Sequence, residues 1–234
     1  MGKRSVTWKA AAVLAATVIV GACGGSPQAR SITLTFIRHA ESEANASGII
    51  NTEVPGPGLS QQGKGQAEDL AHHIGRSDYD GIYASTMVRA QQTAAPLAAE
   101  LGKHVEVLQG IQEISAGWFD GRPDAQAPLT YLVAPADWLN GDLQDSIPGS
   151  VTGKQFNDQF TAAIQKVYDS GNRNPVLFSH KFAIEYWTLL NTKNAKDSLL
   201  SSHPLPNTGR VVISGNPMTG WTLEEWDGIR NFAG

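Results

Sequence analysis

The sequence contains a single cysteine, Cys23. Without a second thiol an internal disulfide is excluded, so an exported form of the chain would depend on its hydrophobic core. There is no run of lysine or arginine, and the formal net charge is −4, which argues against a nucleic-acid partner. Charged residues make up 17% of the chain and hydrophobic residues 41%, a balance typical of a folded domain.

Apolar runs are also short. A comfortable membrane span takes about 20 residues, whereas residues 10–20 form an uncharged apolar run that follows Lys3, Arg4 and Lys9. A signal-peptide core has about 7–15 residues after a positive leader. We therefore predict that residues 1–22 are a signal peptide.

The segment that follows this run, Val20-Gly21-Ala22-Cys23, resembles a bacterial lipobox. The resemblance implies cleavage before Cys23 and a lipid on its thiol. Residues 23–31 would then be a lipidated tether, and the protein would be held at the bacterial cell envelope, on the extracytoplasmic side of the membrane, through this anchor alone. An ordinary signal peptide in which Cys23 is incidental is the alternative.

After the tether, strand-like and helix-like segments alternate. Short runs rich in β-branched and aromatic residues predict strands at residues 32–37, 81–84, 104–108, 175–179, 211–213 and 221–223. Apolar residues at helical spacing predict helices that begin near Ser60, Thr86, Thr152 and Lys181. This alternation predicts an α/β fold, a three-layer α/β/α sandwich with a mostly parallel central sheet, in one domain of residues 32–234. Residues 115–155 carry no clear pattern.

Two of the predicted strands end in a histidine. Arg38 and His39 follow the first strand, and Ser179 and His180 close a later one. In open α/β sheets ligands bind beyond the carboxyl ends of the strands. An arginine fork matches a pair of phosphate oxygens, and a neutral imidazole beside a cation is a good nucleophile. The placement suits attack on phosphorus.

Longer segments strengthen this interpretation. Residues 36–45, Phe-Ile-Arg-His-Ala-Glu-Ser-Glu-Ala-Asn, resemble the signature of the histidine phosphatase superfamily, with Ala40 where the family usually has glycine. Five further stretches resemble that family's segments in the same order: residues 59–67, 83–93, 112–121, 178–180 and 207–208. The resemblance spans about residues 32–227 and implies the phosphoglycerate mutase-like fold.

The resemblance also implies roles for individual residues. His39 would attack phosphorus and become a phosphohistidine, and Glu113 would give a proton to the leaving oxygen. The phosphoryl group would be held by Arg38, Asn45, Arg89 and His180.

Some assignments stay open. Asp120 is a second candidate for the proton donor. Lys181 stands where some members carry an aspartate donor, and it either strengthens anion binding or points to solvent. Neither a metal nor a cofactor is expected, and His72 and His73 point about 100° apart on a helix, so we interpret them as surface residues.

Three functions fit these observations. The first is an extracytoplasmic phosphomonoesterase that acts on a small phosphorylated substrate. The second is a phosphoglycerate mutase-like phosphotransferase, and the third is a non-catalytic surface lipoprotein that binds phosphorylated ligands. The substrate and the oligomeric state are not determined by the sequence.

Overall fold

The computed structural model describes residue 2, residues 29–75 and residues 77–232. The predicted signal peptide and the predicted lipidation site at Cys23 lie outside the described residues, as does most of the predicted tether. Among the residues that are described, no helix has both the length and the apolar character needed to cross a bilayer.

The strands are β1 (Ile32–Arg38), β2 (Ile82–Ser85), β3 (Glu106–Leu108), β4 (Val176–Ser179), β5 (Arg210–Asn216) and β6 (Gly220–Trp226). They form one sheet in the order β3-β2-β4-β1-β5-β6. The four strands from β3 to β1 are parallel, whereas β5 and β6 are antiparallel to their neighbours. The mostly parallel sheet predicted from the sequence is confirmed.

The helices are α1 (Glu43–Ala46), α2 (Gln61–Ile74), α3 (Val88–Leu101), α4 (Val133–Leu139), α5 (Gly153–Asp169), α6 (Lys181–Asn191) and α7 (Leu199–Ser202). Two 3₁₀ segments, Gly117–Phe119 and Asp124–Leu129, lie in the region without a clear pattern. The helices predicted near Ser60 and Thr152 are α2 and α5, and each of these two side chains caps its helix by accepting from a backbone N–H three residues later.

Side chains of β1 alternate between the two faces of the sheet. Phe36 packs on one face against Phe160 of α5 and Trp187 of α6, with ring centroids 5.9 and 5.7 Å away. Ile37 belongs to the apolar cluster on the other face, which includes Leu97 of α3. Both faces of the sheet are therefore covered by helices, and this burial leaves the strand ends as the place for polar chemistry.

Candidate active site

A cavity of about 180 Å³ opens beyond the carboxyl end of β1. Arg38 is the last residue of β1 and pairs in register with Ser179, the last residue of β4. The next residue on each strand is a histidine, so His39 and His180 lie side by side with ring centroids 5.0 Å apart. The parallel pairing of two strands distant in sequence thus brings the two imidazoles together.

His39 is buried and held by both of its ring nitrogens. Nδ1 lies 2.6 Å from the carbonyl oxygen of Ala40, which can only accept, so Nδ1 carries the hydrogen. Nε2 accepts from Nε of Arg89 at 3.0 Å. Burial, with the charges of Arg89 and Arg38, lowers the pKa of His39 well below its usual value. The ring is therefore neutral, and its lone pair is on Nε2.

Arg38 and Arg89 bring two guanidiniums to the cavity. Nη1 of Arg38 donates to the Leu205 carbonyl oxygen at 2.7 Å, and Nη2 of Arg89 donates to the Asn51 carbonyl oxygen at 3.1 Å. Within the described part of the chain, neither arginine forms a salt bridge with a carboxylate. Both positive charges are therefore left for an anion.

Glu113 lines the same cavity, and its side chain contacts the backbone at the N-terminal end of α6. Its Oε1 accepts from the backbone N–H groups of Ile114 and Ala183, each at 2.9 Å, and its Oε2 accepts from that of Phe182 at 3.3 Å. Burial raises the pKa of Glu113, although these hydrogen bonds and Arg89 favour the charged form. A carboxyl group with a raised pKa is suited to hold and release a proton.

Asp120, the second candidate for the proton donor, has a different position. One oxygen accepts from the backbone N–H of Thr52 and the other from its hydroxyl, both at 2.7 Å. The Thr52 hydroxyl in turn accepts from the N–H of Ala116. Asp120 therefore fixes one loop against another, and it is not among the residues that line the cavity.

Asn45 also lines the cavity. Its Oδ1 accepts from the N–H of Ser42 at 3.2 Å, which completes the capping box of α1, and from Nδ2 of Asn207 at 3.3 Å. With its oxygen engaged in this way, the Nδ2 amide is the group that Asn45 can offer to a ligand. Lys181 is a further lining residue, together with two that were not predicted as site residues, Asp124 and Tyr131.

The segment before β5 holds the backbone of Arg38 and His39. Nδ2 of Asn207 donates to the His39 carbonyl oxygen at 3.0 Å, and the backbone N–H of Thr208 donates to the Arg38 carbonyl oxygen at 3.1 Å. The Leu205 carbonyl oxygen accepts from the Arg38 guanidinium. This segment therefore fixes both the backbone and the side chain of the first arginine, a role that was not predicted.

Glu185 on α6 anchors that segment. Its side chain is buried, and Oε1 accepts from the N–H of Leu205 at 2.8 Å. Burial raises the pKa of Glu185 to about 7, and the charge of Glu113 adds to this rise, whereas Lys181 and Arg38 oppose it. Leu205 thus links a buried acid to Arg38 through the backbone N–H and C=O of a single residue.

This acid should make stability depend on pH. The folded-state pKa of Glu185, about 7, lies above its ordinary value of 4.5, so the folded protein holds the proton more tightly than the unfolded chain. The stabilisation that comes from this tighter proton binding is fully present below the ordinary pKa of 4.5. It is lost as pH rises through 7, which lowers the free energy of unfolding by about 3 kcal/mol. In urea titrations from pH 5 to pH 8, Glu185→Gln should remove this part of the decline.

The exposed Glu68 on α2 supplies the matched control. Glu68→Gln removes a carboxyl group that is solvated in both states, so the wild-type slope of the unfolding free energy against pH should remain. Equal slopes for wild type and Glu185→Gln would contradict the prediction, because the buried carboxyl would then titrate alike in the folded and unfolded chains.

Comparisons with known proteins identify the family of this chain. The family model of the histidine phosphatase superfamily (branch 1) matches residues 34–228. The PE-PGRS family protein PE_PGRS11 of Mycobacterium tuberculosis is 44% identical over 222 residues, which cover 88% of this chain but only 38% of that protein.

Two solved structures are similar in fold. A mycobacterial glucosyl-3-phosphoglycerate phosphatase has a TM-score of 0.70 at 20% identity and covers 86% of this chain and 100% of its own. A phosphoserine phosphatase from Entamoeba histolytica, solved with phosphoserine, has a TM-score of 0.64 at 25% identity and covers 84% and 96%. With the family model matching most of the sequence, this chain belongs to the histidine phosphatase superfamily.

Proposed function

We propose that this protein is an extracytoplasmic phosphomonoesterase that works through a phosphohistidine at His39. The observation that carries the proposal is a set of three buried nitrogens near His39: Nε of Arg38, Nη1 of Arg89 and Nδ1 of His180. None of them has a hydrogen-bond partner among the described residues. Burying polar groups without partners costs free energy, and the oxygens of one phosphoryl group would satisfy donors from all three residues.

The first step is transfer of the phosphoryl group to the enzyme. Nε2 of His39 attacks phosphorus, the bond from phosphorus to the ester oxygen breaks, and Glu113 gives its proton to the departing alkoxide. Arg38, Arg89 and His180 surround the oxygens on which charge develops, and fixed donors of this kind often supply the largest part of catalysis. The products are an alcohol and the phosphohistidine.

The second step returns the enzyme to its starting state. The Glu113 carboxylate takes a proton from water while the water oxygen attacks phosphorus. The bond between phosphorus and Nε2 breaks, inorganic phosphate leaves, and His39 is again neutral. One carboxyl group therefore serves first as acid and then as base.

The dimensions and charges of the cavity support a small substrate. Its volume is about 180 Å³, and besides the phosphate-binding groups and Glu113 its lining includes one cationic and one acidic side chain, Lys181 and Asp124. The solved relatives act on small phosphate esters, by their names glucosyl-3-phosphoglycerate and phosphoserine. We expect a compact phosphate monoester and weak binding of highly charged phosphates such as phytate.

The location belongs to the proposal as well, and the sequence alone supports it. With residues 1–22 as a signal peptide and a lipid on Cys23, the enzyme would be held at the outer face of the membrane. Expressed in a bacterium, the wild-type chain should carry phosphatase activity in the membrane fraction. Cys23→Ala should move that activity to the soluble extracytoplasmic fraction, and equal distribution of the two forms would contradict lipid anchoring.

The chemistry is tested by following phosphate from p-nitrophenyl phosphate. Release of inorganic phosphate, with a rapidly quenched enzyme that gains one phosphoryl group on His39, supports the phosphomonoesterase. A phosphorylated sugar acid that is isomerised without release of phosphate would favour the mutase. Binding of orthophosphate without any turnover would favour the non-catalytic surface protein.

A further inference from the structure

The side chain of His180 makes one hydrogen bond, and that bond determines what its other nitrogen can do. Nε2 lies 2.7 Å from the hydroxyl oxygen of Ser85. Nδ1 is buried and has no partner within the described residues. Burial and the charges of Arg89 and Arg38 lower the pKa of His180 well below its usual value. A neutral imidazole has one donor and one acceptor nitrogen, so the tautomer decides whether Nδ1 donates or accepts.

Ser85 is placed to choose between these two tautomers. It is the last residue of β2, which lies beside β4 in the sheet, and it is fully buried. Its hydroxyl oxygen accepts from the backbone N–H of Met87 at 3.2 Å. A hydroxyl group has one hydrogen and two acceptor sites. With Met87 as its donor, the hydroxyl can direct its hydrogen to Nε2 of His180.

The two arrangements differ in how well they satisfy buried groups. If Nε2 donated to Ser85, the serine hydroxyl hydrogen would have no acceptor among the described residues. Nδ1 would then present a buried lone pair to the phosphoryl site. If Ser85 donates to Nε2, the hydroxyl is fully used and Nδ1 carries a hydrogen. Without a ligand each arrangement leaves one buried donor unpaired, the serine O–H or the Nδ1–H, but only the first also leaves an unpaired acceptor at Nδ1. An unsatisfied buried group costs about 1–3 kcal/mol, so the second arrangement is favoured.

We propose that Ser85 is a positioning residue that holds neutral His180 in the Nδ1–H tautomer, so that Nδ1 donates a hydrogen bond to a phosphoryl oxygen during transfer. The inference rests on the proposed function, since it concerns the same phosphoryl group. It gives His180 a defined chemical role: this residue stabilises charge as an uncharged donor, while Arg38 and Arg89 supply the positive charge.

The tautomer can be read directly by NMR of the full chain labelled with ¹⁵N-histidine. In the wild-type protein His180 should show a protonated Nδ1 and an unprotonated Nε2, and addition of inorganic phosphate should shift the Nδ1–H signal. Ser85→Ala removes the hydroxyl donor, so the Nε2–H form should become populated. A merely structural serine would not change this signature.

Kinetics supply the second readout. Removing one preorganised donor from an oxyanion site costs about 10²–10³-fold in kcat, and Ser85→Ala weakens the donor without deleting it. We expect kcat on p-nitrophenyl phosphate to fall about 10- to 100-fold, with a smaller change in KM. Ser85→Thr retains the hydroxyl and should restore both the tautomer and most of kcat.

Ser179→Ala is the matched control. Ser179 is equally buried and precedes His180, but its hydroxyl donates to the Ile111 carbonyl oxygen at 2.7 Å. This variant loses a buried hydrogen bond and should keep the Nδ1–H tautomer. A wild-type Nε2–H tautomer, or a Ser85→Ala protein with unchanged tautomer and kcat, would overturn the inference.

Failure of the proposed function would look different from failure of the inference. A wild-type protein without turnover would remove the phosphatase proposal, and the same spectra would still report whether Ser85 sets the tautomer. Turnover with the Nε2–H tautomer would keep the phosphatase and remove the role of Ser85.

Discussion

His39→Ala is expected to lower kcat/KM for p-nitrophenyl phosphate by on the order of 10⁴-fold or more. The reason is that Nε2 carries the lone pair in this structure and is the atom that forms the covalent intermediate. Its lowered pKa keeps the ring neutral, so activity of the wild type should not decline at pH 6 through protonation of this residue. Steady-state rates measure the loss of kcat/KM and the pH dependence. The mass of the quenched enzyme shows whether the covalent intermediate forms.

Binding distinguishes lost chemistry from lost structure. Arg38 and Arg89 remain in the His39→Ala protein, so orthophosphate should still bind, and it should raise the melting temperature by mass action. His73→Ala, at an exposed position of α2, should leave the rate unchanged. A phosphoenzyme formed at wild-type speed by His39→Ala would place the nucleophile elsewhere.

Glu113→Gln should show a second large effect, and its size should depend on the leaving group. A general acid contributes about 10²–10⁴-fold when the departing oxygen needs a proton. For an alkyl phosphate we therefore expect the rate of phosphoenzyme formation to fall within that range. For p-nitrophenyl phosphate, whose phenolate departs readily without a proton, that step should slow far less. Single-turnover kinetics with the two substrates measure the difference.

The N–H groups at the start of α6 now donate to the Glu113 carboxylate. Glutamine keeps one carbonyl oxygen that can accept from them, so the fold should be retained. Asp120→Asn is the matched control, because that carboxyl accepts from Thr52 and is not itself among the residues that line the cavity. It should lower stability while the ratio between the two substrates stays at the wild-type value. An equal loss on both substrates in Glu113→Gln would contradict a role as proton donor.

The strands could be predicted because β1 and β4 are covered by helices on both sides. Phe36 and Ile37 of β1, like Leu177 and Phe178 of β4, face opposite layers, so both sides of these strands carry apolar residues. α1 was missed because it has four residues and buries none of them. Its stability comes from the capping box of Ser42 and Asn45, a local hydrogen-bond pattern without hydrophobic periodicity.

The site was partly predictable for a similar reason. Arg38, His39 and His180 follow directly on recognisable strands, and the carboxyl ends of parallel strands meet at one edge of a sheet. Ser85 and Asn207 lie in segments that resemble the family's, but their roles were not predicted, because Ser85 contacts His180 across 95 positions and Asn207 contacts His39 across 168 positions. Contacts to backbone oxygens such as that of Leu205 leave no trace in the side-chain pattern.

By itself the sequence determined the order of the six strands and of the four longest helices, the mostly parallel sheet and the family, because periodicity, caps and short motifs are local properties of a chain. It named Glu113 as the proton donor and left Asp120 open as a second candidate. Only the tertiary structure separated them, by placing the first in the cavity at the start of α6 and pairing the second with Thr52. The reason is physical: the protonation and reach of a side chain depend on its burial and its partners, and folding alone brings those partners together.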